Sequence, residues 1–410
     1  SSLGAYNVPL IRKLSGVVDI PSLIKSLGVI SQRHDVLRTH FQQQEDEIVQ
    51  IIRPTIELPV SIENIPETLQ KLEGISFEQA VHHYVDEKRL QVFDLEHGPL
   101  WQVTLTQVAE NEYIFIVNMH HIITDGWSMS IFFEEMCEIY NASLESRVVN
   151  LPTLTIQYAD FSAWQQDSLQ ESRQQKQLDY WRSHLANIPS LLELPTDYVR
   201  PNVQGFNGAS ERIQVPVEVK DKLLALSKKE QSTLFMTLFS VFTILLQRYS
   251  GETDIVVGTP KVNRPHTELE NLIGFFINTL VLRTQVNGDQ SLEELLHQVK
   301  ENTLSAYENE ETPFEKLVEV LQPERSLSYS PLFQVMFTLQ NNPKSNITFN
   351  DVSVDYLRTE SQIEKFDLSF SLTETQNGIT VFASYNTDLF QASTITQLLD
   401  CYLYLLEQVA

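Results

Sequence analysis

Cysteine is almost missing from this sequence of 410 residues: Cys137 and Cys401 are the two it has. Two distant cysteines build no disulfide framework, which fits a reducing, cytoplasmic setting. Long apolar runs are missing too. No stretch reaches the eighteen or more apolar residues that a membrane helix needs, and the opening Ser1-Ser2-Leu3-Gly4-Ala5-Tyr6 lacks the pattern of a secretory leader. Basic residues are in deficit, 29 Lys and Arg against 54 Asp and Glu, for a net charge of −25. They form no block either, since Lys228-Lys229 runs straight into Glu230. Phosphate backbones and anionic lipid surfaces are held through Lys and Arg, so nucleic acid and membrane are excluded as partners. The charge serves solubility. What remains is an ordinary apolar content of 42% on a chain long enough for two or so domains.

One stretch organises the rest. Tyr113-Ile114-Phe115-Ile116-Val117 reads as a buried strand, and Met129 to Met136 carries apolar residues at helical spacing. Between them, His120-His121-Ile122-Ile123-Thr124-Asp125-Gly126 spans a strand end, a turn and a helix start. Adjacent side chains on an extended backbone point to opposite faces. One histidine should therefore look into a cavity while the other packs against the scaffold, and the two do not share a metal. A zinc site wants three ligands and an open position. Asp125 is the one nearby third and Cys137 has no partner, so no metal is expected. Gly126 is read as permitting a turn that a side chain would resist. Asp125, among apolar segments, needs a cation if buried. Trp127 and Ser128 begin the helix, with Ser128 as its cap. A second pair, His82-His83, lies among charged residues at helical spacing and reads as a solvated face.

His120 to Gly126 resembles the HHxxxDG motif of condensation domains of nonribosomal peptide synthetases, in the chloramphenicol-acetyltransferase-like superfamily of acyltransferases. Other stretches resemble that family's further motifs. Arg33-His34-Asp35-Val36-Leu37-Arg38-Thr39-His40-Phe41 matches RHxxLRTxF. It reads equally as a helix C-terminus whose basic residues answer the dipole. Ile273 to Arg283 resembles IGxFxNTLxxR and reads as a central strand with a glycine for close approach. Tyr158 to Trp164 is similar to a YxDYAxW motif. Two stretches depart from the pattern. Asn309-Glu310-Glu311 replaces His-Gln-Asp ahead of Thr312-Pro313-Phe314-Glu315, and Ser326 replaces Asp before Pro331-Leu332-Phe333. The family's first motif, which should precede Ala5, is missing, so the chain reads as trimmed at its N-terminus.

The resemblance implies an α/β fold of two chloramphenicol-acetyltransferase-like lobes, 1–168 with the HHxxxDG motif and 169–410. They would form a V-shaped pseudo-dimer with the active site in a tunnel. It implies an amide-forming acyltransferase in which His121 is catalytic and His120, Asp125, Gly126, Trp127 and Ser128 support it. Arg33 or Arg38, and less so Arg283, are candidates to pair with Asp125; Asn278 is a candidate to face the tunnel. The implied partners are donor and acceptor peptidyl carrier domains bearing 4'-phosphopantetheine arms, with an adenylation domain adjacent. No cofactor is expected on the domain itself, and in isolation it should be monomeric. Acidic carriers would not be drawn to so acidic a chain, so docking needs local basic or apolar patches. Asp125-Gly126-Trp127-Ser128 is most similar to domains that take an L-configured donor. The alternatives are a free-standing coenzyme A-dependent acyltransferase, and an epimerisation or non-catalytic recruitment domain of the same fold.

Overall fold

The computed structural model describes residues 4–65, 74–168, 171–340, 348–357 and 362–410. In chain order the first elements are β1 (Asn7–Gly16), α1 (Ile20–Arg33), β2 (Thr39–Gln44), β3 (Glu47–Ile52), β4 (Val60–Asn64) and α2 (Phe77–Arg89). There follow β5 (Trp101–Ala109), β6 (Glu112–His120), α3 (Gly126–Leu144), α4 (Tyr158–Ser168) and α5 (Glu171–His184). The chain continues through β7 (Asn207–Pro216), α6 (Val217–Lys229), α7 (Leu234–Ser250), β8 (Asp254–Val262), β9 (Ile277–Gln285), α8 (Leu292–Glu308) and α9 (Phe314–Leu321). It closes with β10 (Val335–Gln340), β11 (Val352–Tyr356), β12 (Gln362–Ile363), β13 (Leu368–Thr375), β14 (Gly378–Asn386) and α10 (Ala392–Val409). The class is mixed α/β, as expected, with a sheet in each of two compact units.

Unit 1 comprises Ser1–Ser168, Arg264–Phe276 and Asn342–Glu360. Its five-stranded sheet runs β11-β1-β6-β5-β4. β1 and β6 pair antiparallel from Asn7 opposite His120 to Ser15 opposite Glu112, so the histidine pair sits where this ladder ends. α1 forms because Leu23, Leu27 and Ile30 recur on one face and are fully buried. Asp19 caps it by accepting from the Ser22 amide at 3.0 Å. That face joins Trp101, Phe115, Phe132, Met136 and Tyr140 in one core.

Unit 2 comprises Leu169–Asn263, Ile277–Asn341 and Ser361–Ala410. Its seven-stranded sheet runs β12-β7-β14-β13-β10-β8-β9. β10 lies parallel to β13 and β8, while β8 and β9 are antiparallel. α7 is mostly apolar because most of it is buried: Leu238, Phe239, Val241, Phe242, Leu245 and Leu246 are core residues beside Phe337, Phe370 and Tyr402 of neighbouring elements. β13 and β14 form a hairpin through Gln376-Asn377-Gly378, with Thr375 opposite Gly378.

Two expectations need correction. The division is not a single cut at residue 168. Arg264–Phe276 and Asn342–Glu360 return to unit 1 because Ile273 and Phe349 enter its main core and β11 extends its sheet. Nor is Ile273–Arg283 a central strand. The strand starts at Ile277 and lies at the edge of its sheet.

Candidate active site

The two histidines are separated by geometry, as the strand end dictates. His120 is the last residue of β6, and its Nδ1 accepts a hydrogen bond from the Ile122 amide at 3.0 Å. Its ring stacks on Tyr6, with centroids 6.4 Å apart and an interplanar angle of 22°. His121 has left the strand, although its amide still donates to the Tyr6 carbonyl at 2.7 Å. Its Nδ1 lies 2.7 Å from the Thr124 carbonyl oxygen. A carbonyl only accepts, so Nδ1 carries the proton, and Nε2 is the basic nitrogen of the neutral ring. The neighbouring His120 holds the opposite tautomer. The edge of His121 meets Phe275, with centroids at 5.1 Å and planes at 87°.

Asp125 is fully buried. It is the N-cap of α3, accepting from the Ser128 amide through Oδ1 at 2.9 Å, while Oδ2 accepts from the Phe276 amide at 2.9 Å. One carboxylate thus fixes both the histidine turn and the loop Arg264–Phe276. Ser128 is not the cap expected of it. Its hydroxyl donates to the Gly274 carbonyl at 2.9 Å and accepts from the Gly274 amide at 3.1 Å and from Arg264 at 2.9 Å. Nor does Gly126 provide a special turn. It is the first helical residue, outside the positive-φ glycines, and a Cβ placed on it would meet nothing within 4 Å.

The cation beside Asp125 is Arg264, with Nη2 3.8 Å from Oδ1 and both side chains buried. Its Nη1 donates to the carbonyls of Leu269 at 2.5 Å and Leu272 at 2.7 Å. Its guanidinium lies 4.1 Å from the centre of the Phe276 ring. Burial pushes its pKa down to about 10, against the pull of Asp125. Tyr158 donates from its hydroxyl to the Phe275 carbonyl at 3.1 Å. Burial, then the charge of Asp125, pushes the Tyr158 pKa up to about 12, so the phenol stays neutral. Glycine is required at 274, where a Cβ would come within 2.4 Å of the Tyr158 ring. Trp127 reaches the same loop, its indole nitrogen 3.4 Å from the Glu270 carbonyl. Among the described residues, no three His, Cys, Asp or Glu side chains gather as metal ligands, and no helix is long and apolar enough to cross a membrane.

The family model for condensation domains matches residues 2–410. The chain belongs to the condensation-domain family. Such domains form amide bonds in nonribosomal peptide synthetases. It is 43% identical over 408 residues to a linear gramicidin synthase of Brevibacillus parabrevis, covering 99% of this chain and 5% of that protein. The chain thus spans a small part of the relatives it matches. Among solved structures it superposes on the X-domain from teicoplanin biosynthesis with a TM-score of 0.87 at 26% identity, covering 98% of this chain and 90% of that one. It also matches AB3403, a four-domain nonribosomal peptide synthetase, with a TM-score of 0.87 at 22% identity, covering 99% of this chain and 31% of that one.

The remaining candidates in this condensation domain lie away from Asp125. Arg33 pairs with Glu135, Nε to Oε1 at 2.7 Å, and His34 meets the same carboxylate at 2.7 Å. This buried cluster ties the end of α1 to the middle of α3. Arg38 binds Asp35 at 2.5 Å and the Ser31 carbonyl at 2.9 Å. Arg283, in unit 2, makes a two-pronged pair with Asp254 at 3.0 and 2.9 Å. None of the three expected arginines is the partner, because each has a nearer carboxylate. Asn278 likewise spends its amide on the chain: Nδ2 donates to the Glu310 and Thr312 carbonyls at 2.9 Å, and Oδ1 accepts from Phe314. It clamps the segment leading into α9 and is not an open polar group. The pair set aside on α2 divides: His83 is exposed and His82 half-buried.

Proposed function

We propose that this domain joins a donor aminoacyl or peptidyl thioester to the α-amine of an acceptor aminoacyl thioester, with His121 as the residue that serves the amine. Both reactants ride on 4'-phosphopantetheine arms of peptidyl carrier domains, the donor L-configured. An adenylation domain adjoins it and the setting is cytoplasmic. The observation that carries this reading is the hydrogen bond from His121 Nδ1 to the Thr124 carbonyl. It orients the ring and assigns the basic lone pair to Nε2. His120, packed on Tyr6 and committed to the Ile122 amide, supports the turn.

The chemistry asks little of the base. A thioester is already activated, and an α-amine with a pKa of about 7.7–8.0 is roughly a tenth neutral at pH 7. The amine nitrogen attacks the thioester carbon, the carbon–sulfur bond breaks, and the proton lost by nitrogen passes through His121 towards the leaving thiolate. General-base help is worth about 10²–10⁴-fold, while positioning of tethered reactants offers about 7–11 kcal/mol. Asp125 and Arg264 keep the turn rigid. The test mixes this chain with carriers loaded with donor and acceptor and follows dipeptide by mass spectrometry. His121→Ala should lose about a hundredfold or more; undiminished product removes His121 from the mechanism.

A non-catalytic recruitment domain of the same fold is the second reading, since the similar X-domain from teicoplanin biosynthesis also forms a complex with OxyB. It predicts no dipeptide from the parent chain either.

A further inference from the structure

The loop Arg264–Phe276 is fastened at its end through the backbone. Ser128 Oγ accepts from the Gly274 amide at 3.1 Å and donates to the Gly274 carbonyl at 2.9 Å. Tyr158 donates to the Phe275 carbonyl at 3.1 Å, and Asp125 accepts from the Phe276 amide at 2.9 Å. The side chains of this stretch part company. Ile273 enters the main core of unit 1, while Leu269, Leu272 and Phe276 pack with Phe161 in a second cluster. Among the described residues, Phe275 joins neither. It is half-buried, and its ring stands at 87° to the imidazole of His121 with centroids 5.1 Å apart. The motif IGxFxNTLxxR leaves position 275 open, so the family pattern gives this residue no role. A ring carried on a backbone held at four points is presented from a fixed place, which is what support of a functional side chain requires.

We propose that Phe275 is a positioning residue for the imidazole of His121. A planar ring tied at one atom can still swing about that tie. The Thr124 carbonyl holds Nδ1, and the edge-to-face contact with Phe275, a favoured aromatic geometry, stops the swing. The contact thereby keeps the proton on Nδ1 and the lone pair on Nε2. This deepens the condensation reading and rests on it for the effect on turnover; the setting of the ring does not depend on that reading.

Isotope-labelled histidine, followed by nitrogen NMR, reads the ring without catalysis. At a pH where the ring is neutral, the parent's His121 should show a protonated Nδ1 and a bare Nε2, its signals identified by their loss in His121→Ala. In Phe275→Ala both signals should move towards the mixed tautomers of free imidazole. Turnover with loaded carriers is the second readout. The kcat of Phe275→Ala should fall about ten- to a hundredfold, the usual cost of a misplaced reacting group, with KM within about twofold of the parent's. Phe275→Val should lie between the two proteins in both readouts, and replaces the alanine variant if that one does not fold. A parent that forms no dipeptide overturns the condensation reading alone, and the nitrogen shifts still decide the role of Phe275. Unchanged shifts in Phe275→Ala overturn the proposal. So does parent-like turnover, or a loss carried by KM alone, which would make Phe275 a substrate contact.

Discussion

Each unit buries an aspartate beside an arginine, and the two do it differently. In unit 2, Asp367 and Arg200 meet as a fork, Oδ1 to Nη1 at 3.0 Å and Oδ2 to Nη2 at 2.5 Å. In unit 1, Asp125 stands 3.8 Å from Arg264, and its oxygens are taken instead by the amides of Ser128 and Phe276. Arg264 in turn spends its hydrogens on carbonyls and the Ser128 hydroxyl. The fork of unit 2 joins two side chains and reports on little beyond itself. The arrangement in unit 1 joins backbone to backbone, so disturbing it moves the strand end that carries His121. Pairing neutralises a buried charge; amide capture sets the shape of a site.

The sharpest way to break this contrast is to remove each acid. Asp125→Ala and Asp367→Ala should both cost about 3–5 kcal/mol, the usual penalty for orphaning a buried charge, measured by urea unfolding. Their activities should diverge. Folded Asp367→Ala should condense at close to the parent rate per molecule, while Asp125→Ala should be inactive even when refolded. Equal loss of turnover in both would abolish the distinction.

Glu364 shows a third way to bury an acid, holding its proton to higher pH although the charge of the buried Lys365 acts against this. Its Oε1 accepts from Ser369 Oγ at 2.9 Å and the Phe366 amide at 3.1 Å, and burial raises its pKa from 4.5 to about 7. Between those values the folded protein holds a proton that the unfolded chain has released. Stability therefore falls as pH rises through this window and stays lower above it. Glu364→Gln should match the parent near pH 4 and exceed it at pH 8 by about 3 kcal/mol. Parallel stability profiles for the two proteins would place the proton elsewhere. The smallest expected effect belongs to Ser128→Ala, which breaks three contacts to the loop Arg264–Phe276. It should cost about 1–3 kcal/mol and lower turnover more than melting temperature. A loss confined to stability would show that loop to be mere packing.

What the sequence revealed was local. The apolar run before His120, the helical spacing after it, and the turn residues between them placed the histidine pair at a strand end, where the structure has it. The same local view misassigned the cap, because either Asp125 or Ser128 satisfies a cap pattern and the choice depends on where the helix starts. It also could not reach Arg264, which lies 136 positions from the Ser128 hydroxyl it binds. Basic residues in recognisable motifs drew attention instead, and all three had acids closer by. Asn278 stood out as polar in an apolar run, yet carbonyls of a loop more than thirty positions away claim it. Periodicity reports which face is buried, and says nothing of which distant backbone will fill it.

The excursion Arg264–Phe276 bears on how such a protein can be recombined. A graft that exchanged everything up to Ser168 for the matching part of a relative would import a new histidine turn and leave the old arginine to greet it. Swaps drawn along the gene would therefore mismatch Asp125 with a foreign loop, whereas a chimera carrying both stretches together would keep the turn with the residues that shape it.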